Sequence, residues 1–290
     1  MKIAYQGVPG AYSERASREL FGAGCRPLPR DTFEEVFEAV EGKAADRGVI
    51  PIENSLGGSI HQNYDLLVRH DLHVTREIYL RVEHALLVRP GTKLSDIREV
   101  RSHPQALAQC AGFFAKNRKI KPVVWFDTAG AARSLTEGAE GAQADKGVAA
   151  IASEYAGELY GLEALKKNLQ DRKGNYTRFL CVARAAEKPS EGAALKTSLS
   201  FTPARNRAGV LHAITGLFAS RGLDLTKIES RPDPDNAFDY RFYLDVSGGA
   251  KDAPLRAALA ELKGLTRDLR VLGSYPRAAL PKGGARRGAR

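Results

Sequence analysis

The chain has 290 residues, more than one typical domain needs, and this length predicts two domains of roughly 100–200 residues each. Hydrophobic residues make up 43% and charged residues 27%, the balance of a globular protein with a sizeable core. No run of about 18 apolar residues occurs, so we expect no membrane-spanning helix, and we expect no signal peptide because the N-terminus lacks its apolar segment. The cysteines, Cys25, Cys110 and Cys181, are few and far apart, which predicts reduced thiols in a cytoplasmic protein.

The net charge of +10 raises the question of a nucleic-acid partner. Four of the basic residues lie in residues 281–290, a Gly- and Arg-rich segment without an apolar pattern that we expect to be disordered. The rest of the chain shows no basic stripe interleaved with aromatic residues and no zinc-finger or RNA-recognition motif. We therefore favour a solvated basic tail, residues 277–290, on a protein that binds small anions.

Strand-like and helical patterns alternate from residue 1 to about residue 185. The predicted strands are residues 2–6, 48–53, 74–88, 100–102, 122–126, 148–152 and 178–183. Apolar residues at helical spacing predict helices near residues 33–40 and 60–68, and Pro104 suits the first turn of a helix that runs to about Lys116. This alternation predicts α/β units on mostly parallel sheets, with the long strand 74–88 as a candidate crossover between two lobes.

A polar segment with Pro and Gly, residues 185–195, predicts a linker after a first domain of residues 1–184. The pattern then restarts in residues 196–276. It contains an alternating strand, a helix, two strands, a second helix and a last strand, and the strand at 238–246 alternates most regularly. The order βαββαβ predicts a ferredoxin-like unit.

Four segments of the first domain share one layout, in which a strand ends, small or hydroxyl residues follow and a helix begins. They are residues 7–13, 53–59, 102–105 and 127–130. Such turns gather at the carboxyl edges of parallel strands and present backbone N–H groups at positive helix ends, which suits a ligand with more than one carboxylate. Ordinary helix capping is the alternative for each segment taken singly.

Two segments place side chains that could bind a ligand or take part in catalysis beside a strand. Residues 53–55 place a carboxylate, an amide and a hydroxyl at a strand end, although their spacing by itself favours a structural role. At the start of the last strand, Thr177 can donate a hydrogen bond to a leaving group, and Arg178 can clamp a carboxylate. The histidines lack metal-ligand spacing, and neither a dinucleotide-binding motif nor a P-loop occurs, so we expect no metal and no cofactor.

Five motifs, in this order, resemble those of the prephenate dehydratase family. They are GVPGAYSE (7–14), PIENSLGGSI (51–60), SHPQALAQC (102–110), DTAGAA (127–132) and NYTRFL (175–180). The resemblance covers nearly all of residues 1–184 and implies two α/β lobes around a cleft, similar to periplasmic binding proteins. It also implies a carbon–oxygen lyase of phenylalanine biosynthesis that removes carbon dioxide and hydroxide from prephenate to give phenylpyruvate.

The resemblance implies roles for individual residues. The expected catalytic residues are Thr177, Arg178, Asn54, Ser102, Gln109 and Glu53. The expected substrate-binding residues are Ser13, Ser55, Thr128 and Phe179. We expect Thr177 to assist departure of the ring hydroxyl. Arg178 and some helix N-termini should hold the side-chain carboxylate, while the ring carboxylate meets a less polar wall near Phe179, because firm binding there would stabilise the group that must leave.

Residues 196–276 resemble an ACT domain, a module that binds amino acids. The expected effector residues are Gly209, Val210, Leu211, His212, Glu229, Ser230, Arg231 and Pro232. His212 departs from the family, which usually has valine there. The resemblance implies feedback regulation by phenylalanine and a homodimer or homotetramer, because ACT domains usually pair around their effector.

Three alternatives stay open. The first is an arogenate dehydratase, which acts on a substrate with an amine where prephenate has a ketone. Plant-type arogenate enzymes share sequence segments such as SLGGSIHQNYDLL (55–67) with this chain. The second is a non-catalytic small-molecule binding protein, against which the intact Thr-Arg-Phe at 177–179 argues. The third is nucleic-acid binding through the tail, which predicts salt-sensitive binding that is lost without residues 281–290.

Overall fold

The computed structural model describes residues 1–137, 147–233, 236 and 239–280. The strands are β1 Lys2–Gln6, β2 Arg26–Arg30, β3 Arg47–Asn54, β4 Gly58–Ser59, β5 His73–Arg81, β6 Ala85–Val88, β7 Glu99–Ser102, β8 Lys121–Val124, β9 Val148–Ala152, β10 Glu163–Lys166, β11 Tyr176–Ala183, β12 Leu195–Pro203, β13 Leu225–Pro232, β14 Tyr240–Ser247 and β15 Thr266–Pro276. The helices are α1 Tyr12–Phe21, α2 Phe33–Glu41, α3 His61–Arg69, α4 Pro104–Gln109, α5 Ala111–Lys116, α6 Thr128–Arg133, α7 Glu154–Leu159, α8 Val210–Ala219 and α9 Ala253–Leu265. Phe238, in the predicted strand 238–246, and the expected disordered segment 281–290 lie outside the described residues. Within the described ranges, no helix has the length and apolar character needed to cross a membrane.

The first lobe is built on a sheet in the order β2-β1-β3-β11-β5, with β4 paired to the end of β3. Helix α2 covers this sheet, and its periodic residues Val36, Phe37 and Val40 are fully buried, as the spacing predicts. The sequence pattern does not predict β2, because Pro27 and Pro29 interrupt it. That strand lies at the sheet edge, where a residue without an N–H group is tolerated.

The second lobe is built on a sheet in the order β10-β6-β9-β7-β8. The single helix predicted from Pro104 to Lys116 is wrong, because it breaks at Cys110 into α4 and α5. Asp171 is hydrogen-bonded to both sides of this break. Its backbone N–H donates to the carbonyl of Gln109 at 2.8 Å, and its carboxylate accepts from the N–H of Gly112 at 3.0 Å. These bonds hold the end of α4 against the segment that returns to the first lobe.

The predicted crossover strand 74–88 is two strands, β5 in the first lobe and β6 in the second, joined by residues 82–84. Because β5 leaves its sheet at the cleft edge, β6 must run outward from the cleft, and it is antiparallel to β9. The same reversal applies to β11, which returns to the first lobe and is antiparallel to β3 and β5. The sheets are therefore mixed, and β11 begins at the cleft where its neighbours end.

The C-terminal domain has the predicted βαββαβ order, with the sheet β13-β14-β12-β15. Its two helices cover one sheet face, where Phe201, Phe218 and Leu244 are buried. The other face packs on the first lobe, and Tyr243 and Tyr275 belong to the same buried cluster as the core of α2. This confirms two α/β lobes followed by a ferredoxin-like domain. The three cysteines are buried free thiols.

Candidate active site

A cleft of about 200 Å³ lies between the two lobes. All four turns that the sequence predicts reach it. Their lining residues are Gly7, Ala11, Tyr12 and Ser13, then Asn54, then His103 and Gln105, then Asp127 and Thr128. The crossover 82–84 adds Val82 and His84, the end of α4 adds Gln109, and β11 adds Thr177 and Phe179. Among the lining residues that the structure describes there is no lysine or arginine, so backbone N–H groups, hydroxyls and amides must meet the charge of an anion.

Side-chain hydrogen bonds form a continuous chain along the cleft. Asn54 Nδ2 donates to Thr177 Oγ1 at 3.0 Å and to Asn175 Oδ1 at 2.7 Å. Asn175 Nδ2 donates to Gln109 Oε1 at 2.9 Å, and the same oxygen lies 2.9 Å from His84 Nε2. Since Asn54 and Thr177 belong to the first lobe and Gln109 to the second, the chain joins the two lobes.

The amide of Asn54 is held at both of its ends. Its Oδ1 accepts hydrogen bonds from the backbone N–H groups of Leu56 and Gly57 at 3.0 and 2.8 Å, an Asx turn at the end of β3. Its Nδ2 must therefore face Thr177. Because a hydroxyl has one proton and two lone pairs, a Thr177 oxygen that accepts from Asn54 keeps its own proton for a group in the cleft.

Strand alternation separates the three residues of the Thr-Arg-Phe motif. Thr177 and Phe179 line the cleft, whereas Arg178 projects from the opposite face of β11 towards the C-terminal domain. The expectation that Arg178 holds a substrate carboxylate does not fit this position. Glu53 also points away from the cleft. It is the cross-strand partner of Arg178, whereas Asn54 is the cross-strand partner of Thr177.

Arg178 is the centre of a buried charge network between the domains. The side chain is 3% exposed, and its Nε donates to Glu77 at 2.7 Å. Its Nη1 donates to Glu53 at 3.1 Å and to Asp245, and its Nη2 donates to the Tyr275 hydroxyl at 3.0 Å. Burial by itself would lower the pKa of Arg178, but the carboxylates of Asp245 and Glu77 raise it well above the usual value. The guanidinium is thus a fixed charge that ties β3, β5 and β11 to the C-terminal sheet.

The other predicted site residues divide between the cleft and the scaffold. Ser13 and Thr128 line the cleft, and their role in substrate binding stays a prediction. Ser102 does not, because it is fully buried and its hydroxyl donates to a carbonyl of β9 at 2.6 Å. Ser55 does not either, because its hydroxyl accepts from the backbone N–H of Tyr176 at 2.9 Å. These two serines position the strands that carry the site.

No sequence motif predicts a site role for His84, which lies in the crossover 82–84 and outside all five motifs. Its side chain lines the cleft, and burial lowers its pKa, so the ring is neutral at pH 7. Burial also lowers the pKa of His103, which caps α4, and raises that of Asp127, which caps α6. Hydrophobic periodicity carries no signal for His84, because only the crossing of the lobes brings it beside Gln109.

The predicted effector residues lie on two elements of the C-terminal domain. Gly209, with a φ of 79°, precedes α8, and the first turn of that helix contains Leu211 and His212, both exposed. The left-handed conformation at residue 209 favours glycine. Leu211 is 37% exposed, an apolar side chain that this fold leaves open.

Alternation along the edge strand β13 divides the other four effector residues. Ser230 and Pro232 are exposed on the face that carries the helices. Glu229 and Arg231 face the first lobe instead. Glu229 accepts a hydrogen bond from Ser59, and Arg231 donates to Asp65 at 2.7 Å. These two side chains therefore connect the domains.

Comparison with known proteins gives a consistent assignment. The family model described as prephenate dehydratase matches residues 3–187, and the ACT domain model matches residues 201–264. The chain is 45% identical to arogenate dehydratase 1 of Petunia hybrida, over 95% of this chain and 67% of that protein. It is also 45% identical to the chloroplastic arogenate dehydratase/prephenate dehydratase 2 of Arabidopsis thaliana, over 95% of this chain and 73% of that protein.

Two solved structures are similar over almost the whole chain. One is a prephenate dehydratase in complex with L-Phe from Arthrobacter aurescens, with a TM-score of 0.86 and 31% identity, covering 96% of this chain and 90% of that chain. The other, described as GqqA, a novel type of quorum quenching acylase, also has a TM-score of 0.86, with 36% identity and coverage of 96% and 98%.

Proposed function

The chain belongs to the prephenate dehydratase family and carries a C-terminal ACT domain, and from this premise we propose that it is a carbon–oxygen lyase that converts prephenate into phenylpyruvate. In this reaction the bond between the ring and its carboxylate breaks, and the electron pair enters the ring. The ring carbon–oxygen bond breaks in turn. Carbon dioxide and hydroxide leave, hydroxide takes a proton to become water, and the ring becomes aromatic.

The observation that carries the proposal is the hydrogen bond from Asn54 to Thr177, which leaves the threonine proton for the cleft. Aromatisation supplies the driving force, so the reaction needs no strong base. The barrier lies in the departure of hydroxide, a poor leaving group. A donor already oriented towards the developing charge lowers such a barrier without reorganisation at the moment of reaction. Thr177 fits this role.

The cleft also suits the two carboxylates of the substrate. Helix α1 begins at the cleft, and its N-cap residue Ala11 provides no side-chain cap, so the N–H groups of its first turn are available to the side-chain carboxylate together with Ser13 and Thr128. Pro51 and Phe179 offer an apolar wall to the ring carboxylate. A cation there would stabilise the charge that must leave as neutral carbon dioxide.

The second candidate substrate is arogenate, which one observation favours specifically. Asp127 is the only carboxylate among the described residues that line the cleft. It lies beside the residues suited to the side-chain carboxylate, so it can pair with the ammonium group that arogenate carries there. The names of the Petunia and Arabidopsis relatives include this activity.

The test is to assay the purified chain on prephenate and on arogenate side by side. We expect turnover of at least one of them, and failure on both would overturn the proposed function. Asp127→Asn keeps the helix cap and removes the charge. It should lower kcat/KM for arogenate by about 30-fold or more, since loss of a buried charge partner costs about 2 kcal/mol or more. An equal loss of kcat/KM on both substrates would show that Asp127 does not discriminate between them.

We also propose that phenylalanine binds the C-terminal domain and lowers turnover, and that two copies of the chain pair through α8 and β13. The exposed residues Leu211, Ser230 and Pro232 support this, because an open apolar edge of this kind is suited to a partner copy. The complex of the Arthrobacter protein with L-Phe supports the effector. The cytoplasmic location stays a prediction, and the Arabidopsis relative is named chloroplastic.

Leu211→Glu tests this regulation, because it places a charge in the proposed contact between copies. We expect a smaller oligomer by light scattering and at least about a tenfold rise in the phenylalanine concentration for half inhibition, with kcat unchanged in the absence of effector. The matched control is Leu159→Glu, an exposed leucine on α7 that should change neither property. Unaltered inhibition in the Leu211 variant would contradict the proposal.

A further inference from the structure

His84 lies where the two segments that connect the lobes contact each other. It lies in the crossover 82–84, and its backbone N–H donates to Gln170 Oε1 at 2.9 Å. Its carbonyl accepts from the backbone N–H of Leu169 at 2.8 Å, in the returning segment. The side chain packs edge-on against Tyr12, with ring centroids 6.1 Å apart, and the residue is 3% exposed. The imidazole therefore has a fixed position beside α4.

The polarity of the hydrogen-bond chain determines the form of this imidazole. Asn175 Oδ1 accepts from Asn54, so Asn175 Nδ2 is the group that meets Gln109, and Gln109 must present Oε1. The same Oε1 faces His84 Nε2 at 2.9 Å. An oxygen cannot donate, so His84 carries its proton on Nε2.

This proton orients the amide of Gln109. With Oε1 occupied by His84 and Asn175, Gln109 turns its Nε2 donor to the cleft that it lines. The opposite amide orientation would set N–H against N–H at both partners. The other end of the chain is fixed independently, because Asn54 Oδ1 accepts from two backbone N–H groups. The chain therefore has one consistent polarity from His84 to Thr177.

We propose that His84 is a positioning residue for this site: its Nε2–H fixes the amide of Gln109 and so directs the Gln109 Nε2 donor into the cleft. The inference rests on the proposed function for its catalytic consequence. His84 does not bind the substrate through its ring nitrogens, since Nε2 is bonded to Gln109 and Nδ1 lies 3.4 Å from the Tyr12 hydroxyl. Its loss should therefore affect kcat more than KM.

Two amide substitutions separate orientation from packing. Glutamine places its N–H donor the same number of bonds from Cβ as histidine Nε2, whereas asparagine places it where Nδ1 stands. We expect His84→Asn to lower kcat by about 10- to 100-fold with KM changed less than about threefold, and His84→Gln to recover most of the loss. Equal kcat values for the two variants would overturn the proposal.

A double-substitution cycle tests whether His84 acts through Gln109. In a Gln109→Ala background, His84→Asn should lower kcat by less than about twofold further, because the group that it orients is absent. Independent, multiplying losses would contradict the proposed route. Matched thermal unfolding of all variants identifies any general loss of structure.

The proton position can be measured without turnover, which separates this inference from the proposed function. The 15N chemical shifts of the His84 imidazole in the intact chain should report a neutral ring protonated on Nε2 at pH 7. A ring protonated on Nδ1 alone would refute the inference whether or not the chain acts on prephenate or arogenate. A correct tautomer without turnover of either substrate would count against the proposed function only.

Discussion

Replacing Thr177 by valine should lower kcat by about 100- to 1,000-fold and change KM by less than about threefold, because the variant loses a donor that acts on developing charge. Valine keeps the shape of threonine. Asn54 Nδ2 keeps its bond to Asn175 at 2.7 Å and lies 3.3 Å from the carbonyl of Tyr176, so the amide is not left unpaired. The fold should therefore tolerate the change.

Steady-state kinetics with the favoured substrate measure this effect, and Thr177→Ser is the matched control. Serine keeps the hydroxyl and should retain most of the turnover. The serine hydroxyl also remains in reach of Asn54, whose amide is fixed by the turn after β3. Near-normal kcat in the valine variant would show that the Thr177 hydroxyl does not take part in the reaction.

Replacing Arg178 by methionine should destabilise the chain by about 3–5 kcal/mol, because it strands the carboxylates of a buried network. Glu77 has no exposed side-chain surface, and among the described residues it would keep only Lys196 as a cationic partner, at 2.8 Å. Asp245, on β14, would lose the guanidinium that joins its domain to the first lobe. The loss should therefore loosen the contact between the domains.

Denaturant unfolding measures the change in the free energy of unfolding. Arg15→Met is the matched control, because it removes an exposed arginine from an i,i+4 pair with Glu19 and should cost less than about 1 kcal/mol. Removing the stranded charges as well, with Glu77→Gln and Asp245→Asn, should restore part of the stability. A stable Arg178 variant with a strongly raised KM would instead support the carboxylate clamp that we expect from the sequence.

The two predictions concern neighbouring residues of one strand. Thr177 pairs with Asn54 at the cleft, and the next pair, Arg178 with Glu53, lies against the C-terminal domain. Lys227 of β13 donates to Glu53 at 2.8 Å. Strand β13, which carries half of the predicted effector residues, therefore contacts the residue that directly precedes Asn54 in β3. The structure thus gives a short physical connection between the two functions of the chain.

Local sequence patterns predict most of the elements and much of the cleft. The spacing of Val36, Phe37 and Val40 predicts one buried helix face because burial and the helical period are local properties, and α2 has that face. The turns at strand ends predict the cleft because the carboxyl edges of parallel strands meet there, and all four turns contribute to its lining. Two lobes and a ferredoxin-like domain follow from the same local patterns.

The partner of each polar side chain depends on the tertiary structure. Arg178 bonds to Asp245, 67 residues away, and Asn54 bonds to Thr177, 123 residues away. Strand register and the crossing of the lobes determine such pairs, and no local pattern encodes them. Ser102 and Arg178 therefore look like site residues in the sequence and lie in the scaffold, whereas His84, which has no motif, lies in the cleft because the crossover brings it to Gln109.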